Sequence, residues 1–83
     1  MQNNEIISTD ARTFPEIWAS LNKNEQSELR FVLIRDLDIT RQTIANWSKG
    51  VQPIYKDTKK KVATIVGRNL GISVSWLTLF PAR

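Results

Sequence analysis

The side chains best suited to specific chemistry in this sequence are three polar groups near its middle, Arg41, Gln42 and Asn46. An arginine guanidinium can donate two hydrogen bonds to the edge of a guanine, and glutamine or asparagine carboxamides can pair in the same way with adenine. If this segment is helical, Gln42 and Asn46 lie on one face, because positions four apart are neighbours on a helix. The spacing therefore predicts a surface that reads base edges in double-stranded DNA, with Arg41 and Gln42 reaching deepest.

Residues that could carry out catalysis are missing or poorly placed. The chain has no histidine and no cysteine, so its serines lack the usual activating base and no thiolate metal site can form. Asp36 and Asp38 are better explained as helix-end and turn residues than as paired catalytic carboxylates or metal ligands. No glycine-rich phosphate-binding sequence occurs. We therefore expect no enzymatic activity, no cofactor, no bound metal and no small-molecule substrate.

The polar trio needs a helix that presents it to solvent. Thr40 is a suitable N-cap for a third helix over residues 41–49. Ile44 and Trp47 lie three residues apart and are expected to turn inward, with Ile39 in the preceding turn, so that the back of this helix is held on the second helix. The front of the helix then stays free for a ligand.

Four further segments show the apolar spacing of amphipathic helices. Each follows a residue that can cap a helix: Thr13, Asn22, Asp57 or Ser73. The predicted helices run over about 14–22, from 23 to about Asp36, from 58 to the terminating Gly71, and from 74 through Trp76 and Leu79 to Pro81. The apolar run 31–34 makes the second helix apolar nearly all round, which predicts a central position. Gly67, inside the fourth helix, indicates a close helix crossing or a frayed last turn.

The expected fold class is all-α, a compact five-helix bundle over residues 13–83, preceded by a flexible leader over 1–12. With 41% hydrophobic residues the chain has enough apolar surface to fold as one domain. No segment has the length and apolar character of a signal peptide or membrane span, and without cysteine a reducing compartment is expected, which predicts a cytoplasmic protein. The net charge of +4 favours a polyanionic partner, although solubility alone explains such a charge equally well.

The segment 38–53 resembles the helix-turn-helix of phage-repressor-like regulators, the XRE or Cro/C1-type family. The residues that carry the resemblance are Thr40, the trio 41–43, Ile44, Trp47, Gly50 and Pro53. It continues through 70–73, Leu-Gly-Ile-Ser, and covers roughly residues 24–80. Ile34 and Asp38 stand where the family usually has a small residue and a glycine, which indicates a wider crossing between helices two and three or a longer turn. Asp38 tolerates the left-handed conformation that such a turn needs.

The resemblance implies a lambda-repressor-like fold, a DNA-binding function in transcription regulation in a prokaryotic setting, and DNA-backbone contacts from elements flanking the third helix. The candidates for these contacts are Arg30, Thr43, Lys49, Gln52, Tyr55 and Lys56. It also favours a homodimer, and an apolar C-terminal segment could form the seam or instead complete the core. That segment contains Trp76, Leu77, Leu79 and Phe80.

Other functions remain open from the sequence alone. The same bundle could be a helical protein-interaction module, such as an antitoxin-like or phage-encoded inhibitor without specific DNA binding. A membrane-surface helix over 57–70 is disfavoured by its polar residues and glycines. The run Lys59-Lys60-Lys61 cannot face one partner entirely, because successive helical residues are about 100° apart. At most one or two of these lysines are expected to touch phosphate.

Overall fold

A computed structural model of the protein describes residues 10–81, which form five helices. They are α1 (Phe14–Ser20), α2 (Lys23–Leu37), α3 (Arg41–Ser48), α4 (Lys56–Leu70) and α5 (Trp76–Leu79). Within these residues the only β-type pairing is an isolated parallel bridge between Asp10 and Val74. The predicted all-α, five-helix fold class is confirmed.

The first two helices begin as their sequences predict. Thr13 accepts a hydrogen bond from the Glu16 backbone, and the Glu16 carboxylate accepts one from the Thr13 backbone in return. Asn22 and Glu25 form the same reciprocal pair at the start of α2. Each pair satisfies two backbone N–H groups that have no partner inside the helix, so both N-termini are fixed locally.

The predicted caps of the last two helices are wrong. Helix α4 begins two residues earlier than expected, at Lys56, and its N-cap Tyr55 makes no side-chain capping bond. Asp57 therefore lies in the first turn, where its charge is favourable near the helix N-terminus but does not cap it. Ser75, rather than Ser73, caps α5, since its hydroxyl accepts from the Leu77 backbone.

The helices follow one another in space in the order α1, α3, α2, α4, α5, as judged by their main contacts. The predicted central place of α2 is therefore confirmed, although its apolar run 31–34 is not buried all round. Phe31 is 63% exposed, and the guanidinium of Arg35 lies 5.6 Å from the centre of its ring. The helix buries one stripe, and its core residues are Leu29 and Leu33.

The core joins residues from all five helices. Four aromatic rings, those of Phe14, Trp18, Trp47 and Phe80, contact one another near α1 and α3, with Phe14 and Phe80 stacked at 5.8 Å. The buried hydrophobic residues are Phe14, Ile17, Leu29, Leu33, Ile44, Trp47, Val62, Ala63, Ile65, Val66, Leu79 and Phe80. With no disulfide to add stability, this packing is the main source of the folding free energy.

The extended residues before α1 lie against the connection between α4 and α5. The Asp10 N–H donates to the Ser73 carbonyl at 2.6 Å, and the Thr78 hydroxyl donates to the Asp10 carbonyl at 3.3 Å. Hydrogen bonds from the Arg12 side chain and backbone lower the pKa of the Asp10 carboxyl from 3.8 to about 2. Residues 10–12 of the predicted leader therefore make specific contacts, and the rest of that leader, 1–9, lies outside the described residues.

Position 67 requires glycine because the chain turns back against it after α4. A Cβ at this position would lie 2.9 Å from the Ile72 carbonyl oxygen, closer than carbon and oxygen approach without a shift. The Gly67 carbonyl accepts from both Gly71 and Ile72, and Gly71 ends the helix in the left-handed conformation at φ 68°. The close approach predicted at Gly67 therefore involves the backbone that follows the helix, and no second helix takes part in it.

Candidate nucleic-acid interface

Helix α3 is fixed at its start by the turn that precedes it. Asp38 ends α2 with φ 54° and ψ 47°, the left-handed conformation expected from the sequence. Thr40 then caps α3 as predicted, because its hydroxyl accepts from the Thr43 N–H at 3.2 Å and contacts the Thr43 hydroxyl at 3.0 Å. Ile39, between them, is half-buried against the core. The turn therefore sets the direction in which α3 leaves α2.

The back of α3 is buried as predicted, but it packs mainly on a helix other than the expected one. Ile44 and Trp47 are 1% and 4% exposed. The Trp47 ring meets Phe14 of α1 and Phe80 edge-on, each with ring centroids 6.0 Å apart. Helix α3 consequently rests more on α1 than on α2, although it was expected to pack mainly on α2. No local sequence pattern indicates this, since both ring partners are distant along the chain.

The front of α3 carries the three predicted base-reading residues. Arg41 and Gln42 are exposed, and Asn46 is half-buried. The Gln42 side-chain N–H donates to Asn46 Oδ1 at 3.0 Å, so the two carboxamides form a pair on one face. This pairing leaves Gln42 Oε1 as an acceptor and the Asn46 amide group as a donor for an outside partner. The structure thus places Gln42 and Asn46 together on one polar face, and Arg41 lines the same cleft as Gln42.

A cationic cleft lies beside this face, between α1, α2 and α3. It has a volume of about 260 Å³, and its lining includes Trp18, Arg30 and Arg41 but no acidic residue. The Arg30 guanidinium lies 6.0 Å from the centre of the Trp18 ring, and it is also 3.5 Å from the Ser27 hydroxyl. Two guanidinium groups without a carboxylate between them favour an anion such as a phosphate.

The predicted backbone-contact residues on either side of α3 have different surroundings. Lys49 is exposed at the C-cap of α3, and Tyr55 is 72% exposed in the following segment. Gln52 is engaged within the protein, since its side-chain N–H donates to the Pro81 carbonyl at 2.7 Å. Lys56 lies with its ammonium 6.0 Å from the centre of the Trp76 ring. Lys49, Tyr55 and Lys56 are therefore exposed, whereas Gln52 is half-buried.

The predicted dimer segment is largely part of the core. Leu79 and Phe80 are 1% and 2% exposed, and Trp76 is half-buried with the ammonium groups of Lys56 and Lys60 near its ring. Only Leu77 of the four predicted residues is largely exposed, at 61%. The need to fill a small core explains the apolar character of this segment.

The segment after α3 exposes apolar residues that were not predicted to belong to a binding surface. Val51 is 57% exposed and Ile54 is 89% exposed, while Pro53 between them is buried. These residues stand in a predicted loop, where helical spacing gives no information about which side chains are exposed. Apolar side chains next to a reading helix can contact thymine methyl groups.

The excess positive charge of the protein lies on α4 rather than on α3. Helix α4 has five basic residues against the single acid Asp57, a balance that equals the formal net charge of +4 of the whole chain. The basic residues are Lys56, Lys59, Lys60, Lys61 and Arg68. Charged residues in the rest of the chain therefore balance, so the net charge gives α3 no special support as a DNA-binding element.

Among residues 10–81 no group of three or more His, Cys, Asp or Glu residues could hold a metal ion. No helix in that range is both long and apolar enough to cross a membrane. Comparison of the chain with protein-family models, with curated proteins and with solved structures finds no match. Function must therefore be inferred from the geometry of α3 and its neighbours.

Proposed function

We propose that this protein is a sequence-specific double-stranded DNA-binding regulator that inserts α3 into the major groove. The observation that carries the proposal is the division of α3 into two faces. Ile44 and Trp47 anchor it from behind, while Gln42 and Asn46 are joined to each other on the outward face. An α-helix fits the major groove, and its exposed amides then meet base edges.

The amide pair is suited to adenine. In the major groove adenine offers an amino donor at N6 and an acceptor at N7. Gln42 Oε1 and the Asn46 amide group provide the complementary acceptor and donor, and their mutual hydrogen bond restrains both side chains before binding. This restraint reduces the side-chain entropy lost on binding. Arg41, at the start of the helix, would pair with a neighbouring guanine or with a phosphate at the groove edge.

The cationic cleft supplies the backbone contact in this proposal. Arg30 lies beside Trp18 on the same side of the molecule as Arg41, since both arginines line one cleft. A phosphate at the edge of the groove would meet the Arg30 guanidinium there. Lys49 would add a second contact from the C-terminal end of α3.

A helical protein-interaction module is the second candidate function. It is favoured by the exposed apolar residues Val51, Ile54 and Leu77, which a protein partner could cover. The two functions differ in their response to salt. Affinity for DNA falls steeply as salt rises, because bound phosphates release counterions, whereas an apolar protein interface responds weakly.

Selection of bound sites from random duplex DNA tests the proposal first, because a DNA reader must enrich a defined sequence. On the enriched DNA sequence, Gln42→Ala should weaken binding by about 1–3 kcal/mol and relax the base preference at one position. Arg30→Ala should instead weaken binding to all sequences and flatten the slope of log affinity against log salt by about one.

Arg35→Ala is the matched control, since Arg35 lies on the same helix as Arg30 but pairs with Asp36. It should alter neither the base preference nor the salt slope. Failure to enrich any sequence at low salt would reject DNA reading and favour the protein-interaction module. If Gln42→Ala and Arg30→Ala had identical effects, α3 would not be the element in the groove.

A further inference from the structure

The charged face of α4 borders a groove that the proposed DNA-binding function does not use. The groove lies between the end of α2 and α4 and has a volume of about 350 Å³. Its lining includes Leu37 and Ile65, the first half-buried and the second 5% exposed. Lys61 and Arg68 line it as exposed residues. The groove thus combines an apolar part with cationic ends.

The positive charge along the groove is not neutralised within the described part of the chain. Over residues 10–81, neither Lys61 nor Arg68 has a carboxylate within ion-pair distance. The one acid at the groove, Asp36, is paired with Arg35 at 2.9 Å. An acidic ligand would therefore gain attraction here without displacing an internal partner.

The spacing of the cations defines what such a ligand must look like. Lys61 and Arg68 are seven residues apart, which places them about 10 Å apart along the helix axis, with Ile65 between them. In an extended peptide side chains an even number of positions apart lie on the same face, so two carboxylates four positions apart, about 13 Å, share a face with the side chain midway between them. The long side chains of Lys61 and Arg68 can cover the remaining difference of about 3 Å. A ligand with an apolar side chain between two such acids matches both the charges and the apolar part of the groove.

We propose that this groove binds an acidic, amphipathic segment of a partner protein, with one apolar side chain between Leu37 and Ile65 and flanking carboxylates at Lys61 and Arg68. A DNA backbone is a poorer occupant because it offers phosphates but no apolar side chain for the groove. The described residues that line the groove come from α2 and α4, whereas the proposed reading face lies on α3.

The test uses a short synthetic peptide with a central leucine and a glutamate two positions away on either side, so that all three side chains share one face when the peptide is extended. Its binding to the full ¹⁵N-labelled chain is followed by NMR. We expect shift changes centred on Leu37, Lys61, Ile65 and Arg68. Lys61→Glu and Arg68→Glu should each weaken the affinity about tenfold, which corresponds to loss of one charge-assisted contact. Lys59→Glu is the matched control on the same helix, because Lys59 does not line the groove, and its effect should be clearly smaller.

Two further experiments distinguish the proposed peptide ligand from other occupants of the groove. A peptide with serine in place of leucine should bind about tenfold more weakly, and equal binding would overturn the proposal by showing that charge alone attracts the ligand. Duplex DNA carrying the selected site should shift resonances of α3 and leave the groove unchanged. DNA shifts at Lys61 and Arg68 would assign the groove to DNA and also overturn the proposal. Peptide binding with no DNA binding would instead reject only the DNA-binding function.

Discussion

The substitution Trp47→Ala is the most informative single test of how α3 is held. Trp47 is 4% exposed, and its ring contacts Phe14 and Phe80 edge-on. Truncation of such a ring costs about 3–5 kcal/mol through lost transfer energy and a cavity, and the two aromatic pairs place the cost in the upper part of that range. A domain of 83 residues has a total stability of about 4–12 kcal/mol, so this loss is at least about a third of the total.

Thermal and urea unfolding, both followed by far-ultraviolet circular dichroism, measure this cost. The midpoint temperature should fall by on the order of 20 °C, given about 4–8 °C per kcal/mol for a domain of this size. Leu77→Ala is the control, because Leu77 is 61% exposed and its truncation should change stability by less than about 0.5 kcal/mol. If Trp47→Ala unfolds at the same temperature and urea concentration as the wild type, Trp47 is not part of the core. Helix α3 is then rotated about its axis, and Gln42 and Asn46 do not face outward.

Two further predictions concern the turn before α3 and the N-terminal attachment. Asp38→Gly should stabilise the protein by about 0.5–1 kcal/mol in urea unfolding, because glycine adopts φ 54° without the strain of a Cβ. A destabilised variant would show that the Asp38 side chain has a role of its own. The folded-state pKa of Asp10 is lowered from 3.8 to about 2, so its stabilising contact with Arg12 is complete above pH 3.8 and is lost as the pH falls through 2. NMR titration of the Asp10 carboxyl should give that low midpoint, with Arg12→Ala returning it toward 3.8, and a wild-type midpoint near 3.8 would contradict the contact.

Local sequence signals predicted the start of a helix correctly where the capping side chain bonds a backbone group within the next turn. The caps at Thr13, Asn22 and Thr40 are of this kind, because each side chain bonds a backbone group three residues later. Ser73 shows where such signals fail. It resembles a cap, but its carbonyl is paired with Asp10 at the other end of the described chain, and Ser75 caps α5 instead.

The candidate site, too, could be predicted from the sequence only where its features depend on local spacing. The inward direction of Ile44 and Trp47 follows from helical spacing, and so does the shared face of Gln42 and Asn46. The cleft of Arg30 with Trp18 brings together different helices, and the hydrogen bond from Gln52 to Pro81 joins distant parts of the chain. Neither contact can be found by reading one segment at a time.

The stacking of Phe14 on Phe80 has a consequence for how the protein folds during its synthesis. These rings come from opposite ends of the described chain, and both also contact Trp47. While the ribosome is still translating α4, Phe80 has not been made, so Trp47 lacks one of its two ring partners and Phe14 lacks the ring that stacks on it. Helix α3 can therefore complete its packing only after residue 80 has left the exit tunnel, so the domain should fold late and as one unit.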